Sequence, residues 1–321
     1  MKLYETSISN EDIEVISEVL KSGDLGFGPN VPTFEQKFKT FSNKTYNVAT
    51  NSASASAFMV FSFLKDKYGA CDVYTTSLGF TSPAWAAKHF GHNLYFVDVQ
   101  DDLQFSSSHY KQIRKSSKNK IVVMPVLYGG VSNIENFDLV GDEIVVVDSA
   151  HCVTPTIKSD FIFFSFHPYK PICTSDGGML STDNTESADY FRNYRNFGRS
   201  NSKFSYDIVS SGFKFYMNNL NATIGLTQME RYKENLLTRK KNYDTLKLRY
   251  NLLDHDNNSS YYFATTLVDQ ADQIIEKTGF VRNYPMLHKT SFYSSGCNLS
   301  NLESIHSKIL NLPLTRGFDG W

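Results

Sequence analysis

A primary amine set between two prolines is the feature of this chain with the most chemical potential. Asp160–Met179 reads D-F-I-F-F-S-F-H-P-Y-K-P-I-C-T-S-D-G-G-M: an apolar run ends at Ser165, and five residues later Lys170 stands between Pro168 and Pro171, ahead of a glycine pair. Phe161–Phe164 are compatible with a buried strand of a parallel sheet, and the prolines exclude a helix around the lysine, so its amine is presented at a strand end. Taken alone, a lysine is more often solvated surface than a reactive group. The preceding run, Glu143-Ile-Val-Val-Val-Asp148, shifts that weighting because it ends in a carboxylate followed by Ser149-Ala150-His151. Neighbouring strands then offer an acid and an amine at one sheet edge, the edge where open α/β sheets place their ligands.

Pyridoxal 5′-phosphate is a cofactor that needs both groups. It forms a Schiff base with a lysine, and a carboxylate facing its pyridine nitrogen keeps that nitrogen protonated so that the ring accepts electrons. The segments V-V-D-S-A-H and F-S-F-H-P-Y-K-P-I-C-T-S-D-G-G-M resemble those of the DegT/DnrJ/EryC1/StrS family of fold-type-I enzymes, mostly aminotransferases acting on nucleotide-linked keto-sugars. That family's pattern is a strand ending E-D-A-A-Q/H, then S-F-x-x-x-K, then a T-G-E-G-G-like turn, in which Asp176 here takes the place of Glu. The resemblance runs from Ser22 to Phe318.

Other positions acquire expected roles through the same resemblance. In Asn51-Ser-Ala-Ser-Ala-Ser56, small hydroxyl residues precede an apolar helical run around Phe58–Leu64. A helix N-terminus of that kind suits a phosphate, although Ser and Asn are also good N-caps in their own right. The family has S-S-G-T-A-A there and uses its Gly-Thr pair for the cofactor phosphate. Ala53 and Ser54 fall on that pair, Ser54 keeping the hydroxyl and Ala53 losing the glycine's freedom. Phe80 falls on the aromatic that stacks on the pyridine face, a loop aromatic that packing alone could also explain. His151, three residues after Asp148, stands where the family has a Gln or His touching the ring oxygen. On general grounds it could equally be a satisfied polar group. Ser165 matches the serine that contacts the phosphate.

Ser211–Gly225 resembles G-Y-N-Y-R-M-x-x-L-Q-A-A-I-G, whose Asn is given across a dimer interface to the neighbouring phosphate. Lys214 stands at that Asn and Tyr216 at the Arg, and a lysine can pair with phosphate as a point charge. Asp24 and Phe27, in a Gly- and Pro-rich passage, and His288, in Tyr284-Pro-Met-Leu-His288, fall where the family meets its substrate.

At 321 residues the chain can form one large α/β domain and a smaller one. Its net charge of -1 gives no electrostatic reason to expect nucleic acid or an anionic membrane as partner. Met1–Thr6 lacks the apolar core of a signal peptide, and no apolar run approaches the ~20 residues of a membrane span, so the expectation is a soluble, cytoplasmic protein. Cys71, Cys152, Cys173 and Cys297 have no C-x-x-C spacing, which argues against zinc and against a disulfide framework. No metal is expected.

Strands alternating with helix-length spacers from Tyr46 to Gly178 read as repeated βαβ units: an α/β fold with a mostly parallel central sheet and helices on both faces. Ile13, Ile16 and Leu20 predict a helix over Asn10–Lys21 stopped by Gly23. Asn218–Leu253 reads as one or two long helices with Gly225 as the weak spot, Asp254–Ser260 as a polar turn and Tyr261–Val268 as a strand. Residues 1–235 are expected to be the large pyridoxal-phosphate-binding domain, and residues 236–321 a smaller C-terminal α+β domain lacking the family's final helix.

The resemblance implies a pyridoxal-phosphate-dependent aminotransferase. It would move nitrogen, with glutamate as donor, to a nucleotide-activated keto-sugar of the 4-keto-6-deoxy kind, and would act as a homodimer with shared active sites. Lys170 and Asp148 carry the chemistry. Two other readings stay open: a sugar dehydratase of the same family, although those carry His in place of the lysine, and a cofactor-binding but inactive homologue with a structural or regulatory role.

Overall fold

The computed structural model describes residue 6 and residues 8–200, 207–294 and 296–315. The expected loss of a final helix concerns positions beyond 315 and lies outside the described residues. In chain order the elements are α1 (Asn10–Ser22), α2 (Asn30–Ser42), β1 (Tyr46–Thr50), α3 (Ala53–Tyr68), β2 (Asp72–Thr76), α4 (Thr81–His89), β3 (Asn93–Val97), α5 (Ser107–Ile113) and β4 (Ile121–Met124). They continue with β5 (Ile144–Asp148), β6 (Phe161–Ser165), β7 (Gly178–Thr182), α6 (Thr185–Tyr194), α7 (Asn219–Lys247), β8 (Ala264–Leu267), α8 (Ala271–Thr278), α9 (Ser300–Ile305) and β9 (Ile309–Leu312).

Apolar runs without alternation mark strands buried on both faces, and the central sheet bears this out. Along β5, Val145 and Val147 enter one core while Ile144 and Val146 enter the other. Along β6, Ile162 and Phe164 likewise oppose Phe161 and Phe163. One core takes Val31, Phe34 and Phe38 of α2 with Ala222 and Met229 of α7, and the other takes Met59, Phe61, Ala86 and Phe191 of α3, α4 and α6. Helices therefore cover both faces, as expected.

The strands lie in the order β1-β7-β6-β5-β4-β2-β3. Those from β6 through β3 pair in parallel, and β7 runs antiparallel to both of its neighbours. Because β7 is reversed, it begins at the edge where the others end: Gly178 pairs with Ser165 on one side and with Thr50 on the other. Asp148 finishes β5 at the same edge, bridged to Val126. A side chain on Gly178 would have its Cβ 2.5 Å from the backbone of Ser52, so only glycine lets β7 start this close to α3.

The long C-terminal helix is single and unbroken through Gly225. A Cβ there would sit 2.7 Å from the ring of Phe34, which is fully buried and wedged against Phe38 and Phe166. Gly225→Ala gains about 1 kcal/mol of helix propensity. Overpacking costs about 1–3 kcal/mol, and the ring has nowhere to go. The expected result is a net loss of about 1 kcal/mol in urea unfolding, and an unchanged or raised midpoint would show that Phe34 can yield.

The C-terminal part pairs β8 with β9 antiparallel and docks on the sheet edge through polar contacts. Asp98 accepts the N–H groups of Asn301 and Leu302, both at 2.9 Å, and Asp256 accepts from the N–H and the hydroxyl of Ser132, both at 2.7 Å. The stretch expected to be a polar turn is thus partly drawn inside, with Ser259 and Ser260 buried. The strand expected from Tyr261 begins only at Ala264, because Tyr261 takes a left-handed conformation, φ 46°, that breaks extended pairing. Among the described residues no helix is long and apolar enough to cross a membrane, and no cluster of three His, Cys, Asp or Glu side chains could hold a metal.

Candidate active site

Where β5 and β6 end and β7 begins, a cavity of about 820 Å³ opens between the sheet, the N-termini of α3 and α4, and the segment 279–284. Asp148 forms part of its wall, 3% exposed, accepting the N–H of Ala150 at 3.0 Å. Burial pushes its carboxyl up to about 6, against the pull of that hydrogen bond and of the Lys170 charge. The carboxylate has no ion-pair partner within 4 Å among the described residues.

Lys170 reaches the same cavity from the loop after β6, whose turn is closed by its own N–H on the carbonyl of His167 at 2.9 Å. Its Nζ donates to the hydroxyl of Tyr262 at 3.3 Å and stands 4.4 Å from the centre of that ring. The surroundings of the ammonium push it down to about 7, with Asp148 opposing. A substantial neutral fraction at neutrality makes this amine a usable nucleophile and proton acceptor, unlike a surface lysine.

Hydroxyls and a helix start line a second wall. Ser52 caps α3 by accepting the N–H of Ala55 at 3.1 Å, Ala53 is the first helical residue, and Ser54 donates to Ser82 of α4 at 2.8 Å. Ser165 completes this wall at the end of β6. Unpaired N–H groups, a positive helix end and several hydroxyls are what an anionic phosphate requires.

The third wall is aromatic. Phe80 is 55% exposed, a costly position for an isolated ring, and meets Tyr284 edge to face at 5.9 Å. His151 is buried between Tyr262, at 4.4 Å between ring centres, and Tyr284, whose hydroxyl lies 2.9 Å from Nε2. Burial and the nearby Lys170 charge hold its imidazole neutral, and Nδ1 has no hydrogen-bond partner.

The structure thus brings Lys170, Asp148, Ala53, Ser54, Phe80, His151 and Ser165 to one cavity. Four expected site residues lie elsewhere. His288 is buried and turned away, held by Ser77 at 2.7 Å on Nδ1 and by Glu303 at 3.2 Å on Nε2. It joins the C-terminal part to the sheet edge, and Tyr284 of the same motif is the residue that lines the cavity. Asp24 and Phe27 are exposed outside the cavity, Phe27 packing on Tyr216 and over the Arg195 guanidinium. Lys214 is exposed on a strip bridged to Asn196, also outside the cavity of its own chain.

Tyr262, Ser82 and Asn283 also line the cavity, and no motif of the sequence analysis includes them. Ser82 could have been found as the first-turn hydroxyl of the helix after Phe80; Tyr262 sat inside what read as a plain strand.

Pyridoxal phosphate suits these residues. A buried carboxylate without a cation and an orphaned imidazole nitrogen are each left short of a partner that the cofactor would supply, and a partly neutral amine and a hydroxyl-rich helix start line the same cavity.

The model of the DegT/DnrJ/EryC1/StrS aminotransferase family matches residues 6–320. The spore coat polysaccharide biosynthesis protein SpsC of Bacillus subtilis is 33% identical over 246 residues, 70% of this chain and 62% of SpsC, so the chain spans less than two thirds of that relative. The UDP-4-amino-4,6-dideoxy-N-acetyl-beta-L-altrosamine transaminase of Campylobacter jejuni serotype O:2 is 25% identical over 96% of this chain and 90% of its own length. Spr1654 from Streptococcus pneumoniae, in its PLP-form, has the same fold, with a TM-score of 0.86 at 23% identity over 98% of this chain and 93% of that one.

Proposed function

The chain belongs to the DegT/DnrJ/EryC1/StrS aminotransferase family, and from that premise we propose a pyridoxal-phosphate-dependent transfer of an amino group from glutamate to a nucleotide-linked keto-sugar of the 4-keto-6-deoxy kind. The observation that carries this reading is the pairing of Lys170, its amine pushed down to about 7, with the buried Asp148 on one cavity. The Campylobacter relative's name, a transaminase of an amino-dideoxy sugar nucleotide, supports the substrate class.

When bound, pyridoxal phosphate supplies an electron-accepting ring through which nitrogen passes from one substrate to the other. Lys170 would hold it covalently and, once displaced by the donor amine, take up and return a proton. Asp148 would keep the pyridine nitrogen protonated. Ala53, Ser54 and Ser165, with the start of α3, would hold the phosphate, Phe80 would cover one face of the ring, and His151 would lie near its oxygen. In this reading residues 1–235 form the cofactor-binding body and residues 236–321 the smaller one beside it, working in the cytoplasm.

Charge balance supports a homodimer with shared sites. Glutamate, the cofactor phosphate and a nucleotide diphosphate are all anionic, yet the only lysine or arginine lining the cavity among the described residues is Lys170. Asp148 and Asp176 add negative charge there, while burial lowers the affinity of His151 and His167 for a proton. A cation must come from elsewhere. Lys214 is exposed beside Phe213, Val209 and Ile208, which are 50–53% exposed, a patch that a second copy would cover.

Glutamate added to the loaded protein should convert the cofactor to its aminated form within seconds, and nucleotide 4-keto-6-deoxy sugars should then be aminated, read by mass. A cofactor spectrum indifferent to glutamate favours the inactive homologue, and loss of water without gain of nitrogen favours the dehydratase. A monomer in sedimentation at working concentration would defeat the shared site.

A further inference from the structure

Nothing else in the cavity holds the free amine of Lys170 as directly as Tyr262 does. Its hydroxyl accepts from Nζ at 3.3 Å and its ring centre lies 4.4 Å from the same atom. Lysine has a flexible four-carbon stem and gains little orientation from its own loop. Tyr262, by contrast, is fixed. It is 3% exposed, its N–H donates to Gly129 at 3.0 Å, and the Arg239 guanidinium donates to its carbonyl at 3.2 Å. The N–H of Ser260 donates to Gly130 at 2.7 Å. A Cβ on Gly130 would lie 2.9 Å from the Tyr262 nitrogen, so this turn is shaped to receive the segment. The left-handed Tyr261 then aims the next side chain at the sheet edge.

We propose that Tyr262 is a positioning residue for Lys170: its hydroxyl and ring face hold the amine in the cavity whenever the lysine is not bonded to the cofactor. The inference rests on the reading of Lys170 as the cofactor lysine. A hydrogen bond accepted from the ammonium and a π face beneath it both favour the charged form. They act with Asp148 and against burial. The other titratable groups lining the cavity are His151, His167, Asp176, Tyr169 and Tyr284, and both histidines are disfavoured as cations by Lys170 itself.

The test uses the protein freed of cofactor. Reductive methylation across a pH series, with Lys170 followed by peptide mass, reads how much of its amine is neutral and reachable. In the wild type Lys170 should label at lower pH than surface lysines. Tyr262→Phe keeps the ring and loses the hydroxyl, so labelling at pH 6.5 should rise roughly 2-fold; Tyr262→Leu loses both, for a rise of roughly 3-fold. In the loaded enzyme kcat should fall on the order of 10-fold for Tyr262→Leu with KM little changed, and Phe should recover part of the loss. Labelling and kcat unchanged in Tyr262→Phe and Tyr262→Leu, with circular dichroism showing both folded, would overturn the inference. Wild-type Lys170 labelling like a surface lysine would instead bring down the reading beneath it and the inference together.

Discussion

Replacing Lys170 by alanine should lower kcat on the order of 10⁴-fold or more and leave the cofactor without its covalent hold. The loss is large because the same amine is asked to hold the cofactor and to carry a proton, and no neighbour can stand in. His151 is committed to Tyr284 and pushed strongly toward neutrality, and Tyr262 offers only a hydroxyl. Lys170→Arg separates charge from chemistry. Arginine keeps the positive charge but does not give up its proton, so this variant should be as inactive as alanine. Borohydride reduction followed by peptide mapping should place the cofactor on the wild-type peptide containing Lys170 and on neither variant. Because only the neutral amine attacks and its midpoint is about 7, cofactor capture by the bare protein should slow as pH falls below that value. The slowing approaches tenfold per pH unit. Turnover by Lys170→Ala within a hundredfold of wild type would remove the basis of the assignment.

Sequence and structure agree best where one physical cause decides both. Ile144–Asp148 and Phe161–Ser165 are legible as strands because burial on both faces demands apolar residues at every position, and the two polar groups that end the pattern, Asp148 and Ser165, must then lie at the edge. Lys170 follows because a proline on either side leaves it little choice but a loop at that edge. Direction is harder to read than position. Tyr284 and His288 share one motif, yet Ser77, distant in sequence, and Glu303 capture the histidine ring, and only the tyrosine lines the cavity. Lys214, Asp24 and Phe27 carry the same lesson: a motif fixes where they stand on the chain, while the face they present depends on packing, and in their own chain none of the three lines the cavity. Tyr262 was out of reach because its aim depends on a left-handed neighbour and a Gly129–Gly130 turn more than a hundred residues earlier.

Asp148→Asn should lower kcat on the order of 10²- to 10³-fold while making the cofactor-free protein more stable at pH 8. Asparagine keeps the shape and can donate a hydrogen bond, but it cannot hold a proton on the pyridine nitrogen by opposite charge, so the ring accepts electrons less well. The stability gain has a definite sign. Asp148 titrates at about 6 in the folded protein against an ordinary 3.8, so the fold disfavours the charged form. Below pH ~4 both folded and unfolded chains hold the proton and the group costs nothing. As pH rises from about 4 to about 6 the unfolded chain releases its proton first, so the penalty grows, and above that it stays at roughly 3 kcal/mol. Asparagine escapes it. At pH 8 Lys170 is largely neutral, so losing its partner's charge matters little there. Urea unfolding of the two cofactor-free proteins should show a gain approaching that figure at pH 8, shrinking toward nothing near pH 4. A variant that is less stable at pH 8, or that keeps full turnover, would mean that Asp148 is an ordinary structural acid and not one kept at a cost for the cofactor it faces.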